Sequence, residues 1–334
     1  MIIIPSLQSI VKALSFTIDM ETYSLQDGDQ VECSNIRGCD PFPMLVVSAA
    51  LRNVRKKSSA QNCIAKNVNN SYARTMRFYT ASRIESGRSL NEDYGNESYL
   101  PITRLSIQDL TAEGFNSYQV IQETIEKKTN QMASVLCQSN GAFKDQVSYI
   151  LRELIRNIPE HSGADKVWFC AQYWPSYDLV DLAILDEGIG IYESLRNNKT
   201  FGKQIGDCET AIHWAVKPGI STAFDGDNRD FKYYDWQNTG YGLYVVKELC
   251  IGLGGNIIIA SGDKGILFNG GGEYSYSCKI HGTAIGVRLK PSLISGNENL
   301  IEIIKRRGEE AAKNDKNAYV FASKASGGLH RGSF

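Results

Sequence analysis

The chain has 334 residues, enough for two ordinary domains or one large one. Its composition is 42% hydrophobic and 22% charged, which is close to globular averages, so the chain can bury a real core. The formal net charge of −1 argues against a large nucleic-acid-binding surface.

The cysteines and the N-terminal segment predict a protein of a reducing compartment. None of the eight cysteines belongs to a CxxC pair, which argues against a zinc site or a redox couple, and Cys170 and Cys250 lie in apolar runs typical of buried side chains. The apolar run at the N-terminus stops at Pro5 and has no basic region before it, so we do not expect a signal peptide. No stretch reaches membrane-spanning length. We therefore expect a cytoplasmic protein with reduced thiols.

Residues 1–135 are predicted to form a mixed α/β domain with a regulatory or partner-binding role. Strand-like and helix-like segments follow one another there, without a motif that indicates chemistry. The strands are predicted in MIIIPSL and NCIAKNV, and the helices over residues 44–56 and in SYARTMRFYTASRI. Between Glu85 and Tyr99 the chain is polar and rich in Ser, Asn and Gly, which is typical of a loop.

Residues 136–295 alternate more regularly between the two kinds of element. Two long helices lead into this region, one from about residue 116 and a second in FKDQVSYILRELIRNI. The strands that follow are predicted in ADKVWFCAQYW, DLVDLAILD, NIIIASG, KGILF and SYSCKIHGTAIGVRL. The further helices are predicted in YESLRNN, CETAIHWAVKPGIST and GYGLYVVKELCIGLGG. A last helix and a disordered tail are predicted for residues 296–334.

Three polar side chains recur at every fourth position of the segment LRELIRNIPEHSG. They are Glu153, Asn157 and His161, and positions four apart lie near one face because a helix turns about 100° per residue. Asn157 offers a neutral oxygen to a cation such as Mg²⁺, and Glu153 could polarise a water for attack on phosphorus. A solvated helix face would explain the same pattern. Pro159 has no amide hydrogen and is predicted to bend or end the helix near His161.

The segment ILDEGIG, residues 184–190, combines an acid with two glycines at the end of a buried strand. Asp186 stands at the C-terminal end of that strand, where ligand contacts concentrate in α/β sheets. Its carboxylate can accept a hydrogen bond from an exocyclic amine such as that of adenine. Gly188 and Gly190 carry no side chain, so their backbone can lie close to a ligand. A tight turn capped by the aspartate is the alternative.

Two later segments suggest phosphate and base contacts. Gly240 and Gly242 precede a helix whose first amides have no partner within the helix, which suits a phosphate group. The alternative is a helix that begins on glycines and binds nothing. The segment is neither a Walker A motif nor a dinucleotide fingerprint, because Val245 stands where a third glycine would fall. In HGTAIGVRL, Thr283 could help Asp186 to hold a base, or be an ordinary strand residue.

In this order the motifs make the region from about Phe143 to Leu289 resemble the GHKL ATPase superfamily. That superfamily covers gyrase-type topoisomerases, heat-shock chaperones, mismatch-repair ATPases, histidine kinases and anti-sigma serine kinases. ELIRN resembles its N box, DEGIG the first glycine box and NTGYGL the later one. GIST at residues 219–222 resembles the lid border, and the Gly-Thr pair at 282–283 the terminal motif. The resemblance implies a C-terminal two-layer α/β sandwich of the GHKL ATPase type over residues 136–295.

The resemblance also implies ATP and Mg²⁺ as cofactors and gives the matching residues their roles. Glu153 would be the general base or a water-mediated metal contact, and Asn157 would be the Mg²⁺ ligand. Asp186 would bind the adenine amine, with Gly190 beside the base and Thr283 helping.

The remaining nucleotide-binding residues that the resemblance implies contact the phosphates or border a lid. Backbone amides would be offered to the phosphates by Gly240, Tyr241, Gly242 and Leu243. The lid, roughly residues 199–237, would be bordered by Ser221 and Thr222. Gly188 would complete the first glycine box.

The resemblance thus implies an ATPase that acts as a conformational switch, with a lid and an N-terminal domain that respond to the nucleotide. Two alternatives remain open: a kinase that passes the phosphate to Ser or His of a partner, and a nucleotide-gated binding module with little turnover. We expect a protein partner through the N-terminal domain or the lid, with a homodimer as a further candidate assembly. Neither a membrane nor a nucleic acid is expected as a partner.

Overall fold

The structure, a computed structural model, describes residues 1–58, 63–84, 98–116, 121–137, 141–224, 239–294 and 299–322. Within these ranges the chain forms a three-stranded parallel sheet and a five-stranded antiparallel sheet. The predicted α/β class is confirmed at this level. None of the helices in these ranges is both long and apolar enough to cross a membrane.

The elements follow the chain in this order. The strands are β1 (Ile2–Ile3), β2 (Gln30–Glu32), β3 (Ile64–Lys66), β4 (Tyr99–Ser106), β5 (Lys166–Trp174), β6 (Leu179–Asp186), β7 (Asn256–Asn269) and β8 (Gly272–Leu289). The helices are α1 (Ile10–Glu21), α2 (Pro41–Lys57), α3 (Ser71–Thr75), α4 (Phe78–Ala81), α5 (Ile107–Asn116), α6 (Ile121–Cys137), α7 (Gly141–Asn157), α8 (Gly190–Arg196), α9 (Cys208–Ala215), α10 (Gly242–Gly252) and α11 (Leu300–Ala312).

The parallel sheet and its helices form the N-terminal unit, residues 1–84. Its strands pair in the order β1-β2-β3. Asp40 and Pro41 begin α2, in agreement with the preference for proline in the first helical turn. The single helix predicted in SYARTMRFYTASRI is wrong, because Arg77 adopts a left-handed conformation with φ of 61° and separates α3 from α4.

The antiparallel sheet has the order β4-β5-β6-β8-β7 and is covered by helices on both faces. Successive side chains of a strand point to opposite faces. Accordingly, Leu182 and Ile184 of β6 join the core that includes α7 and α10. Ala183 and Leu185 join the core that includes α1 and α2. The N-terminal unit therefore packs on the face of the sheet that α7 and α10 leave uncovered.

The edge strand β4 precedes the boundary predicted at residue 135, yet it hydrogen-bonds to β5, and α6 packs in the core of the same sheet. The predicted division into residues 1–135 and 136–295 thus does not follow the hydrogen bonding of this sheet. No strand was predicted here, and Pro101 weakens the strand pattern because proline cannot donate to a ladder and is disfavoured in strands. The pairing accommodates it at the sheet edge, with a register shift between Leu100 and Thr103.

Three strands predicted after residue 255 are only two in the structure. NIIIASG and KGILF belong to one strand, β7, which pairs with β8 over most of its length. Register shifts on either side of Gly262 interrupt the pairing at the point where the hydrophobic pattern breaks. The last predicted helix is present as α11, whereas the predicted tail at 324–334 lies outside the described residues.

An ion-pair group joins the sheet to the N-terminal unit. Nη2 of Arg288, on β8, lies 3.0 Å from Oδ2 of Asp40 and also contacts Oδ2 of Asp181 on β6. Burial raises the pKa of Asp181 to about 6, and the guanidinium of Arg288 opposes this shift. Arg288 thus offsets the cost of burying two carboxylates between the units.

Replacing Arg288 by alanine should lower the free energy of unfolding by about 2 kcal/mol at pH 8, because both carboxylates lose their cation. The folded-state pKa of Asp181 lies above its ordinary value of 3.8, so protonation favours the folded state below that value, and this contribution is lost as the pH rises through about 6. A protonated Asp181 needs no cation. Urea unfolding should therefore show a smaller loss at pH 5 than at pH 8.

The matched control is Lys290→Ala, which removes an exposed cation directly after the same strand. It should change the free energy of unfolding by less than about 0.5 kcal/mol at both pH values. An equal loss for Arg288→Ala at pH 5 and pH 8 would contradict the role assigned to the Asp181 pair.

Candidate functional site

A cleft opens where the C-terminal end of α7, the turn after β6, the segment 219–224 and the N-terminus of α10 meet the strand β8. It encloses about 820 Å³, including the part open to solvent. Nine of the residues predicted from sequence line it: Asn157, Asp186, Gly190, Ser221, Thr222, Gly240, Gly242, Leu243 and Thr283. Segments far apart in sequence are therefore brought to one cavity.

The end of α7 presents Asn157 and His161 to this cleft. The α-helix ends at Asn157, and the chain continues as a π-helical turn, Ile158–Ser162. Pro159 has no amide hydrogen to continue the α-helical pattern, which accounts for the change of helix type at the predicted place. Both Asn157 and His161 line the cleft.

Glu153, the third polar residue of this series, does not line the cleft. Its side chain is only 6% exposed and pairs with Arg152, whose Nη2 lies 3.2 Å from Oε1 of Glu153. The alternative of a solvated helix face is wrong, because Glu153 is buried. Oε2 of Glu153 lies instead against Gly242, behind the first turn of α10. The carboxylate therefore lies next to a residue of the lining but is not part of the lining itself.

Asp186 is the buried acid of the cleft. It ends β6 opposite Thr283 of β8, and both residues line the cavity. Its Oδ1 accepts a hydrogen bond of 2.9 Å from the amide of Gly188. Burial raises the pKa of Asp186 to about 6, whereas hydrogen bonds from Gly188 and Ser162 oppose the shift. At neutral pH the cleft thus contains a carboxylate that has lost much of its water.

The turn that carries Asp186 is also held by the N-terminal unit. Glu187 Oε1 accepts hydrogen bonds from Arg52 of α2, with Nη2 at 3.1 Å, and Oε2 lies 2.9 Å from Nζ of Lys56. Burial would raise the pKa of Glu187, but Arg52 and Lys56 outweigh it and hold the pKa below its usual value. Arg52 also stacks on the ring of Trp168 at 3.9 Å. Nothing in the local sequence around Glu187 indicates Arg52 and Lys56, which are 135 and 131 residues away.

The N-terminus of α10 forms the opposite wall. Gly242 is its first residue, and the N-cap residue, Tyr241, makes no side-chain capping hydrogen bond. Free helix amides attract anions. Gly240, Gly242 and Leu243 line the cleft, whereas the ring of Tyr241 is fully buried and directed away from it. Gly188, likewise outside the lining, lies against the carbonyl of Ser162.

Ser221 and Thr222, predicted to border a lid, line the cleft, and Thr222 contacts its other wall. Oγ1 of Thr222 lies 2.8 Å from Nδ1 of His161. Burial lowers the pKa of His161 to about 4, and the charge of Arg156 adds to this, so the imidazole is neutral at physiological pH. Of the predicted lid, α9 is described, whereas residues 225–238 lie outside the described residues.

Two residues that the sequence analysis did not assign to the site hold its turns in place. Asn198 donates to the carbonyl oxygens of Thr222 and Phe224, at 3.1 and 2.8 Å. Ser261 donates to the carbonyl of Gly282 at 2.7 Å and accepts from the amide of Ile191 at 3.0 Å. Their partners are distant in sequence and mostly main-chain atoms, so no side-chain pattern indicates them.

Gly240→Ala should lower the free energy of unfolding by at least about 2 kcal/mol. Gly240 has a φ of 76°, and a Cβ there would overlap the main-chain carbonyl of Ile220, which cannot yield without moving the cleft border. Gly206→Ala is the control, because Gly206 does not have a positive φ and a Cβ there would meet nothing within 4 Å. It should cost less than about 1 kcal/mol. Equal losses in urea unfolding would show that the border does not constrain Gly240.

Comparison of the chain with protein-family models, with curated proteins and with solved structures found no match in any of the three. The function of the cleft must therefore be inferred from its own chemistry. That chemistry combines a desolvated carboxylate at one wall, a carboxamide at the end of α7 and a helix N-terminus that attracts anions.

Proposed function

We propose that the protein binds ATP with Mg²⁺ in this cleft and hydrolyses it as a conformational switch of the GHKL type. The observation that carries the proposal is that one cavity contains Asn157, Asp186 and the Gly240–Gly242 turn. These three features were assigned separately to a metal, a purine amine and a phosphate chain. The antiparallel sheet with α7 and α10 on one face supports the two-layer GHKL arrangement for the C-terminal part of the chain.

The two ends of the cleft suit the two ends of a nucleotide. At one end Asp186 would accept a hydrogen bond from the adenine amine, next to Thr283 and the apolar side chains of Ile184 and Ile285. At the other end the first amides of α10 would donate to phosphate oxygens. Gly240 and Gly242 leave room there for a close approach of the ligand.

The donor set fits Mg²⁺ only together with a nucleotide. Within the described ranges, no group of three or more His, Cys, Asp or Glu could hold a metal ion. Asn157 supplies one neutral oxygen at the cleft, so the other ligands would be phosphate oxygens and water, a pattern typical of Mg²⁺. A bound Mg²⁺ would offset negative charge on the phosphates.

Hydrolysis requires a base for the attacking water, and Glu153 is the proposed one. Water would attack the γ-phosphorus in line with the bond to the β-phosphate oxygen, and the carboxylate would take the proton. The ion pair with Arg152 must loosen for this step, because it holds the carboxylate outside the cleft lining. The same ion pair, behind Gly242 and outside the cleft lining, favours a second candidate: a nucleotide-gated binding module with little turnover.

Glu153→Gln separates the two candidates. In the ATPase, wild-type protein releases phosphate from Mg-ATP, and the variant should bind ATP within about threefold of wild type but release phosphate at least about 100-fold more slowly. The matched control is Glu160→Gln, which removes another carboxylate paired with an arginine of the same helix. It should retain the wild-type rate.

Three results would change the assignment. Hydrolysis by Glu153→Gln at the wild-type rate would exclude it as the base. ATP binding by the wild type without phosphate release would support the binding module. Transfer of labelled phosphate to a co-purified protein, without free phosphate, would identify a kinase.

The raised pKa of Asp186 predicts a pH dependence of base binding. The ionised carboxylate of Asp186 accepts a hydrogen bond from the adenine amine, whereas the protonated form carries a donor of its own. The affinity for the base should therefore be constant above pH 7. Below about pH 6 it should fall with a slope that approaches tenfold per pH unit. Adenosine is the suitable probe because it carries no titrating phosphate. Asp186→Asn should bind adenosine more weakly at pH 8 and show no such slope. The same slope in the variant would assign it to another group.

A further inference from the structure

The segment 317–322, here called the strap, contacts the border of the cleft without lining it. It follows α11 and belongs to the part of the chain for which the sequence suggested only a last helix and a tail. Within the strap, Tyr319 and Val320 are buried. The strap is therefore a buried, hydrogen-bonded segment next to the cleft.

Tyr319 holds the border segment 219–224 at three points. Its amide donates to the carbonyl of Gly219 at 2.9 Å, and its hydroxyl donates to the carbonyl of Ala223 at 2.9 Å. Its ring meets that of Phe224 edge-on, with centroids 5.1 Å apart. These contacts lie before and after Ser221 and Thr222, which line the cleft. The strap therefore fixes both ends of the border.

Tyr241 ties the strap to the opposite wall. Its hydroxyl lies 3.0 Å from the carbonyl oxygen of Tyr319 and 2.8 Å from that of Val320, and donates its proton between them. Tyr241 stands between Gly240 and Gly242. Its main chain therefore belongs to the proposed phosphate wall, while its buried side chain contacts the strap.

The strap is anchored to α11 and to the turn after it. The amide of Ala322 donates to Oε1 of Glu309 on α11 at 3.1 Å, and the amide of Asn317 donates to Oδ1 of Asp315 in the turn at 2.9 Å. α11 in turn packs against α10, where Gly308 lies beside the rings of Tyr241 and Tyr244. The border segment and the first turn of α10 are thus both held by the strap and α11.

We infer that the strap sets the distance between the border segment and the first turn of α10, with Tyr241 and Tyr319 as positioning residues for the nucleotide phosphates. This inference rests on the proposed nucleotide binding. Because coupling between two sites is reciprocal, a nucleotide that binds the docked arrangement more tightly also stabilises the docked strap. The C-terminal segment is then the place from which a bound partner could alter nucleotide affinity.

The test compares Tyr241→Phe with Tyr244→Phe in the full-length protein. Tyr241→Phe removes only the hydroxyl that reaches the strap and keeps the ring and the main-chain amide. Tyr244→Phe makes the same change one turn further along α10, next to Gly308 of α11. Tyr319→Phe, which removes the bond to Ala223, is a second variant should the first fold poorly.

The first readout needs no nucleotide. Amides of residues 219–224 should exchange with deuterium roughly tenfold faster in Tyr241→Phe than in Tyr244→Phe, the factor expected for one lost hydrogen bond. Equal exchange in the two variants overturns the strap as a constraint on the border.

The second readout uses Mg-ATP. In wild type, ATP should slow exchange of the strap amides 317–322, which it does not touch, and Tyr241→Phe should abolish this protection and weaken ATP affinity by roughly three- to tenfold. If Tyr241 only stabilised the fold, Tyr241→Phe would leave the ATP-dependent protection of the strap amides unchanged. Faster border exchange with unchanged ATP affinity overturns the positioning role.

The two readouts also distinguish a failure of this inference from a failure of the proposed function. If wild-type protein binds no ATP, the proposed function and the nucleotide part of the inference fall together, while the exchange comparison still decides whether the strap holds the border. If ATP binds and the strap amides show no protection, only the inference falls.

Discussion

The pairing of β6 with β8 is the constraint on which the cleft depends. This antiparallel ladder places Asp186 opposite Thr283 and Ile184 opposite Ile285, and all four residues line the cavity. A slip of β8 by one residue would turn Thr283 and Ile285 to the other face of the sheet and separate them from Asp186 and Ile184. The turn after β6 and the start of the β8 ladder therefore meet at one edge, and α7 and α10 close the cavity above them.

Burial of charge determines the chemistry of this edge. Desolvation raises the pKa of Asp186 and lowers that of His161, so one remains a poorly hydrated acid and the other a neutral ring at physiological pH. Glu153 is buried as well, but Arg152 compensates its charge. The cleft thus combines a buried carboxylate that can accept hydrogen bonds with helix amides that attract anions, while Glu153 lies outside its lining.

Elements outside the sheet hold the cleft from two sides. From the N-terminal unit, Arg52 and Lys56 bind Glu187 in the turn that carries Asp186. From the C-terminal end, Tyr319 binds the segment that carries Ser221 and Thr222. Since the N-terminal unit and the segment after α11 both contact turns of one cleft, a displacement of either would be transmitted to the cleft through a few hydrogen bonds.

The sequence by itself determined the elements and residue types of the cleft. Periodicity gave α7, β5, β6 and α10, and local composition indicated Asn157, Asp186 and Gly240, because helix and strand patterns and glycine turns are properties of neighbouring residues. It did not predict β4, whose proline is tolerated only through pairing with β5, nor the break between α3 and α4.

Only the tertiary structure decided which polar groups share the cavity. The four-residue spacing brought Asn157 and His161 to it but left Glu153 with Arg152, because a π-helical turn follows Asn157 and α10 covers the preceding turn. The partners of Glu187, Tyr241 and Asn198 likewise come from segments remote in sequence. Contacts between distant segments depend on how sheets and helices pack, and no local pattern of residues records that packing.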